Sequence, residues 1–116
     1  MRLKTNDGEV FFNPQLISHV HLSGDQSLLT VHFVNGTAYG ISTETHVESG
    51  AVADFLAALT EAKSGFVAVG SEVLNLKSAL WIAIPEQGPV QVRSGDNRTR
   101  SLDGEDHERV RKLLAD

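Results

Sequence analysis

The 116-residue chain contains no cysteine, only three prolines, and a single tryptophan, tyrosine and methionine. Without cysteine it has no disulfide and no thiolate metal site, and a reducing cytoplasm is the expected location. The N-terminal residues have no apolar stretch typical of a signal peptide. The longest apolar run, residues 79–84, is too short to span a bilayer, so no membrane association is expected.

The chain also lacks the motifs of common enzyme classes. No serine lies in a Gly-x-Ser-x-Gly elbow, no Walker or dinucleotide-binding loop is present, and no spacing of carboxylates proposes an acid–base pair. We therefore expect a non-catalytic protein without a cofactor. The net charge of −5 argues against a generally basic nucleic-acid binder but permits a local basic patch.

The clearest secondary structure is a hairpin over residues 28–41, where Asn35-Gly36 separates two β-rich runs. A three-residue loop at residues 34–36 gathers the large apolar side chains on one face through these pairs: Phe33 with Thr37, Val31 with Tyr39, and Leu29 with Ile41. A strand at residues 16–22 precedes it, and a four-residue loop at 23–26 would set Val20 opposite Leu29.

Short strands are also predicted at residues 66–69 and 72–76, followed by a stronger one at 78–84. Across the turn at residues 85–89, Trp81 is expected opposite Arg93 and Ile82 opposite Val92. A four-residue loop at 94–97 then joins residues 90–93 to residues 98–102.

Two amphipathic helices are predicted from apolar residues at helical spacing. For the first helix the N-cap candidates are Thr45, in a Thr-x-x-Glu capping box, and Ser49, and Gly65 is the expected stop. For the second helix Asp103 is the expected cap. The predicted buried residues are Val52, Phe55, Leu56 and Leu59 in the first helix, and Val110, Leu113 and Leu114 in the second.

The order of these patterns repeats: Leu16, Ser18, Val20 and Leu22 correspond in parity to Leu76, Ser78, Leu80 and Ile82. We predict an α+β fold in one domain, residues 1–116, made of two tandem β-meander–helix units at 1–64 and 65–116. The sheet is expected to be mainly antiparallel, with both helices packed on one face.

The first unit carries a short pattern of residues seen in a known family: Leu3, Thr5, Gly8, Phe12, Asn13-Pro14, Leu16-Ile17, Thr30, Asn35-Gly36 and Tyr39. In this pattern residues 1–62 resemble small flagellar proteins of the FlbD/SwrD type, which implies no catalytic residue. The tandem arrangement is similar in architecture to PC4-like and Whirly-like single-strand-binding domains. That resemblance implies, by analogy of fold alone, a sheet face that binds single strands.

One candidate site is the outward face of the second unit, with the residues Trp81, Gln91, Arg93, Arg98 and Arg100. An aromatic plane and nearby arginines suit the bases and phosphates of single-stranded nucleic acid or another anionic ligand. Alternatively, Trp81 is buried by a protein partner and the arginines form a solvated hairpin edge.

Outward apolar residues predict association, because exposed apolar patches usually mark interfaces. They are Ile17, Leu28 and Trp81, and a homodimer is expected.

A third candidate is a cluster of His19, His21 and His32 on one face of two neighbouring strands, which could hold Zn²⁺, Ni²⁺ or Cu²⁺. The alternative for these histidines is a polar outer face.

Overall fold

The computed structural model describes residues 2–48, 50–61, 65–102 and 107–114. These residues form ten strands, two α-helices and two 3-10 helices. The strands are β1 (Arg2–Thr5), β2 (Gly8–Phe11), β3 (Ile17–Leu22), β4 (Leu28–Phe33), β5 (Ala38–Ser42), β6 (Phe66–Val69), β7 (Glu72–Asn75), β8 (Trp81–Ala83), β9 (Val90–Arg93) and β10 (Thr99–Leu102). The α-helices are α1 (Ala51–Leu59) and α2 (His107–Leu114), and the 3-10 helices cover Pro14–Leu16 and Leu76–Ser78.

The strands form three antiparallel sheets. The β1–β2 hairpin forms a two-stranded sheet. The five-stranded sheet has the order β5-β4-β3-β7-β6, and the three-stranded sheet has the order β10-β9-β8. The β6–β7 hairpin comes from the second half of the sequence but joins the sheet of the first half, because β7 pairs with β3. The predicted α+β class with mainly antiparallel strands is therefore confirmed.

Two hydrophobic cores lie on opposite faces of the five-stranded sheet. The first core contains Leu3, Phe12, Ile17, Val20, Leu29, Val31, Val47, Ala51, Phe55, Leu59, Phe66 and Val73. The second core contains Val67, Leu74, Leu76, Val90, Val92, Leu102 and Val110. Neighbouring side chains on a strand point to opposite faces, which is why Val73 and Leu74 of β7 belong to different cores.

The two helices consequently lie on opposite sides of this sheet. Helix α1 buries Phe55 and Leu59 in the first core, whereas α2 buries Val110 in the second. The prediction that both helices pack on one face was wrong. Once β7 pairs with β3, the sheet separates the core of the second unit from that of the first.

The register of two predicted hairpins is confirmed. Phe33 N–H donates to the Thr37 carbonyl at 2.9 Å, and Gly36 in the loop has φ +89°, a left-handed conformation that glycine adopts without strain. The pairs are Val31–Tyr39 and Leu29–Ile41 in β4–β5, and Trp81–Arg93 and Ile82–Val92 in β8–β9.

The register between β3 and β4 differs from the prediction. Val20 lies opposite Val31 rather than Leu29, and the pairing shifts between Ile17 and His19 in a β-bulge. A bulge adds one residue to a strand and so changes which side chains face inward beyond it. Ile17 is therefore fully buried in the first core, and Leu16 is 50% exposed. Ile17 does not belong to an outward apolar patch as predicted.

The helix ends also differ from the predictions. The N-cap of α1 is Gly50, with no side-chain cap, and the Thr45 hydroxyl instead bonds to Ser42 and His46. The candidates Ser49 and Asp103 lie outside the described residues. Helix α1 ends at Leu59, before Gly65, and in α2 Leu114 is 39% exposed rather than part of the buried stripe. No helix in the described part of the chain is long and apolar enough to cross a membrane.

The order of elements occurs twice along the chain: a hairpin, a 3-10 helix, three strands and an α-helix. Each 3-10 helix is capped by an asparagine, because Asn13 accepts from Gln15 N–H and Asn75 from Lys77 N–H, both at 3.1 Å. Asn75 is buried and also donates to the Ile17 carbonyl at 2.8 Å. The division at residue 64 into two repeats stays a prediction.

Candidate nucleic-acid interface

The three-stranded sheet has one buried and one solvent-facing side. Val90, Val92 and Leu102 point into the second core, so the alternate residues of β8, β9 and β10 point away from it. We call this side the outer sheet face, and it consists of Trp81, Ala83, Gln91, Arg93, Thr99 and Ser101.

An aromatic and a cationic residue occupy opposed positions on the outer sheet face. Trp81 is 47% exposed, and its cross-strand partner is Arg93, so the two side chains project from neighbouring positions. Arg93 Nη1 donates to Thr99 Oγ1 at 2.9 Å, which orients the guanidinium along the sheet. Gln91 is exposed on the same strand. The structure thus brings together Trp81, Gln91 and Arg93 as the sequence predicted.

The loop joining β9 and β10 is one residue longer than predicted. Arg93 lies opposite Thr99, so residues 94–98 form the loop, which Ser94 N–H closes by donating to the Arg98 carbonyl at 3.1 Å. Asn97 takes a left-handed conformation with φ +63°. Arg98 lies in this loop with an exposed side chain rather than on the strand.

The longer loop turns Arg100 to the buried side of the sheet. Residues 100 and 102 now face inward, where Leu102 joins the second core and the Arg100 side chain is only 8% exposed. The prediction that Arg100 shares the outward face with Trp81 was wrong. A one-residue change in register exchanges the two faces of a strand, and the apolar Leu102 favours the register that buries it.

Arg100 is held between two carboxylates. Its Nε and Nη2 donate to Glu72 at 2.9 and 3.0 Å, and its Nη2 and Nη1 donate to Asp96 at 3.0 and 3.3 Å. Because Glu72 belongs to β7 and Asp96 to the β9–β10 loop, the guanidinium joins the five-stranded sheet to the three-stranded one. Two-pronged, charge-assisted hydrogen bonds of this kind are among the strongest in proteins.

The environment keeps both carboxylates ionised. Hydrogen bonds from Arg100 lower the pKa of Glu72, although burial opposes the charge. Burial also opposes ionisation of Asp96, but hydrogen bonds from Arg100 and from the Arg98 backbone N–H outweigh it and lower the pKa of Asp96. The same contacts raise the pKa of Arg100. The Arg100 guanidinium is occupied by Glu72 and Asp96 and does not present its N–H groups to a ligand.

His19 lies against this network and is 4% exposed. Its ring stacks on His32 at a centroid distance of 4.2 Å with an interplanar angle of 9°, and its Nε2 is 3.9 Å from both Glu72 and Asp96. Burial, with additional contributions from His32 and Arg100, lowers the pKa of His19 to about 4. The ring is therefore neutral at pH 7.

The three predicted histidine ligands do not form a metal-binding group. Within the described ranges, no three side chains of His, Cys, Asp or Glu are placed to hold a metal ion. The lone pairs of an imidazole lie in its ring plane, so two rings stacked face to face, such as His19 and His32, cannot direct them at one ion. His21 lies two residues further along β3, opposite Thr30 and Glu72.

The Glu72–Asp96–Arg100 network was missed at the level of sequence. One signal was available, since Glu72 is a charged residue that begins a predicted strand and is followed directly by the apolar Val73 and Leu74. A second was the spacing of Asp96 four residues before Arg100. Neither signal reveals that β7 lies beside the β9–β10 loop.

A shallow groove of about 410 Å³ runs between α1 and the β3–β7 ladder. It is lined mainly by apolar or small residues such as Val20, Leu56 and Ala68, and Glu72 is its one ionisable lining residue. Because general acid–base chemistry needs a positioned pair of proton donor and acceptor, the groove assembles no catalytic group.

No family model matches the chain, and no curated protein matches it. Among solved structures, the chain is similar to a LytTr DNA-binding domain from Bacillus cereus, with 14% sequence identity and a TM-score of 0.53. The similarity covers 100% of this chain and 96% of that domain. At this identity the likeness establishes the β-rich α+β fold over the whole chain.

Proposed function

We propose that the protein is a non-catalytic, cytoplasmic nucleic-acid-binding protein that uses its outer sheet face. The observation that carries this proposal is the exposed Trp81 side chain on the same sheet face as Arg93, in the opposed position of the neighbouring strand. The likeness to a solved domain whose name describes it as DNA-binding supports the same class of ligand.

The chemistry of this face suits single-stranded nucleic acid or another flat anionic ligand. A base stacked on an exposed aromatic side chain contributes about 1–3 kcal/mol, whatever its identity. Arg93 is already oriented by Thr99, and Arg98 extends the positive charge into the adjoining loop. Both guanidiniums can reach phosphates, whereas Arg100 is committed to Glu72 and Asp96 and is not part of the proposed site.

The single tryptophan of the chain makes this proposal easy to test. Trp81 fluorescence is titrated with a single-stranded oligonucleotide, the matching duplex and a neutral peptide, at two salt concentrations. We expect quenching by the single strand that weakens as salt rises, since phosphate contacts release counterions. Fluorescence that is indifferent to every oligonucleotide at low salt would contradict the proposal.

Charge-removal variants assign the contacts. Arg93→Gln and Arg98→Gln should each weaken binding, whereas Arg2→Gln is the matched control, because Arg2 is an exposed arginine on β1 that pairs with Glu9. Arg2→Gln should bind as the wild type does. Equal weakening by all three variants would mean that general charge, and not the outer sheet face, attracts the ligand.

A second candidate is a protein-interaction or accessory module that uses the same face as a homodimer or partner interface. Leu80, next to Trp81, is 59% exposed, which favours an apolar contact. Salt separates the two candidates, because an apolar interface does not weaken steeply as salt is added.

A further inference from the structure

Six strands of the described chain lie at a sheet edge, and two of them, β2 and β8, expose large apolar side chains. Among the described residues, β2 pairs with β1 alone and β8 pairs with β9 alone. Phe11 on β2 is 71% exposed, the highest value among the large apolar residues, and Trp81 on β8 is 47% exposed. Open, apolar strand edges tend to accept another strand.

The chain itself shows what pairs with such an edge. Within the five-stranded sheet, β7 lies antiparallel to β3 with Val73 opposite Val20, and Val73 is only 7% exposed. Val73 of the β6–β7 hairpin therefore lies in the first core, together with Val20.

The hairpin β1–β2 is the counterpart of β6–β7. Each hairpin is followed by an asparagine-capped 3-10 helix, with Asn13 after β2 and Asn75 ending β7. Val73 lies two residues before its cap, and Phe11 lies two residues before Asn13. Phe11 therefore corresponds to Val73, but it is exposed because no strand equivalent to β3 lies beside β2.

The strand equivalent to β3 is β8. Each follows its 3-10 helix, and Val20 and Ile82 both lie seven residues after the capping asparagine. Val20 is 1% exposed in the first core, whereas Ile82 is only partly buried at the rim of the second core. The edge of β8 lacks the neighbour that covers β3.

We propose that β2 of one copy adds antiparallel to the open edge of β8 of a second copy, with Phe11 opposite Ile82. This pairing repeats between copies the contact that β7 makes with β3 within the chain, and it buries Phe11 against the second core. Donor and acceptor are different strands, so each contact is heterologous. If two copies make the contact reciprocally, they close a two-fold dimer. If they do not, the copies build an open chain.

The mass of the 116-residue chain in solution tests the proposal. Light scattering should show a mass that rises above the monomer with concentration for the wild type and stays monomeric for Phe11→Asp. Phe11 is so exposed that the substitution should not unfold the chain, and circular dichroism checks this. The matched control is Leu28→Asp, because Leu28 is 46% exposed on β4 and should not affect assembly. A monomeric wild type, or a Phe11→Asp variant that assembles as the wild type does, overturns the proposal.

The register is tested by cross-linking, for which the cysteine-free chain is a clean background. Directly opposed residues of antiparallel strands have Cβ atoms about 4.5–5.5 Å apart, close to what a disulfide requires. Mild oxidation of a Phe11→Cys copy mixed with an Ile82→Cys copy should therefore yield a covalent dimer of the two. Mixing Phe11→Cys with Leu28→Cys should yield none. Equal yields in the two mixtures contradict the register.

Discussion

Replacing Arg100 with methionine removes the guanidinium that joins the two larger sheets but keeps a side chain of similar length. The wild-type side chain is 8% exposed and makes four hydrogen bonds to Glu72 and Asp96. In the variant both carboxylates lose their cation, while Leu102 and the rest of the second core keep their packing.

The expected cost follows from how much water reaches the two carboxylates. Removing one partner of a fully buried ion pair costs about 3–5 kcal/mol, because an uncompensated charge remains. The side chains of Glu72 and Asp96 are 23% and 25% exposed, so hydration recovers part of this cost. We expect the free energy of unfolding to fall by about 2–3 kcal/mol, or roughly 8–12 °C in Tm for a chain of this size.

Urea unfolding at pH 7 and at pH 3 measures the effect. Arg100 lowers the pKa of both carboxylates, so its stabilisation is present above their ordinary pKa values of 4.5 and 3.8 and is lost as pH falls below them. The deficit of the variant should therefore shrink at pH 3. Adding Glu72→Gln to Arg100→Met should cost less than the sum of the two single substitutions.

The control for this experiment is Arg93→Met. Arg93 lies on the outer sheet face with one hydrogen bond to Thr99, so its replacement should change stability by no more than about 0.5 kcal/mol. An Arg100→Met variant as stable as Arg93→Met at pH 7, or a deficit that persists undiminished at pH 3, would refute the buried placement of Arg100.

Two further predictions concern buried polar groups. The folded His19 resists protonation down to a pKa of about 4, against 6.5 for the unfolded chain, so stability should fall as pH drops from 6.5 to 4, by up to about 1.4 kcal/mol per pH unit. His19→Gln should flatten this pH profile in urea unfolding, and exposed His46→Gln should not. Asn75→Ala loses three hydrogen bonds at a buried position and should cost about 3 kcal/mol, whereas Asn13→Ala loses one exposed cap and should cost about 1 kcal/mol. Similar costs for the two asparagine variants would contradict the contrast in burial.

Local turn chemistry was sufficient to predict several elements from the sequence. Asn35-Gly36 determines a three-residue loop, and alternation on both sides then fixes the pairing of Val31 with Tyr39. The same reasoning correctly placed Trp81 opposite Arg93. In both cases the interactions that decide the structure lie within about a dozen residues along the chain.

The errors arose where a one-residue irregularity or a distant partner decides the structure. The bulge before His19 and the extra loop residue before Thr99 each reverse the faces of a strand, so Ile17 and Arg100 turned inward against expectation. Periodicity cannot detect one added residue in a loop that contains glycine and asparagine. In addition, nothing near Glu72 in the sequence shows that its partners are Arg100 and Asp96.

The candidate site was therefore partly predictable. Strand alternation places Gln91 and Arg93 on one face of β9, and the pairing of Trp81 with Arg93 places Trp81 on the same face of β8. The loss of Arg100 from the site depends on the extra residue in the β9–β10 loop and on the ion pair that Arg100 makes with Glu72 of β7. The stacking of His19 on His32, which removes the metal site, likewise depends on the bulge in β3.

The most direct test of the central claim is the salt dependence of single-strand binding, followed by Trp81 fluorescence. If Arg93 and Arg98 each neutralise one phosphate, the double variant Arg93→Gln/Arg98→Gln should bind more weakly than the wild type. Its slope of log affinity against log salt concentration should also be smaller by about 1.4 in magnitude. Identical slopes for the wild type and the double variant, or no binding by the wild type at low salt, would contradict a nucleic-acid site on the outer sheet face.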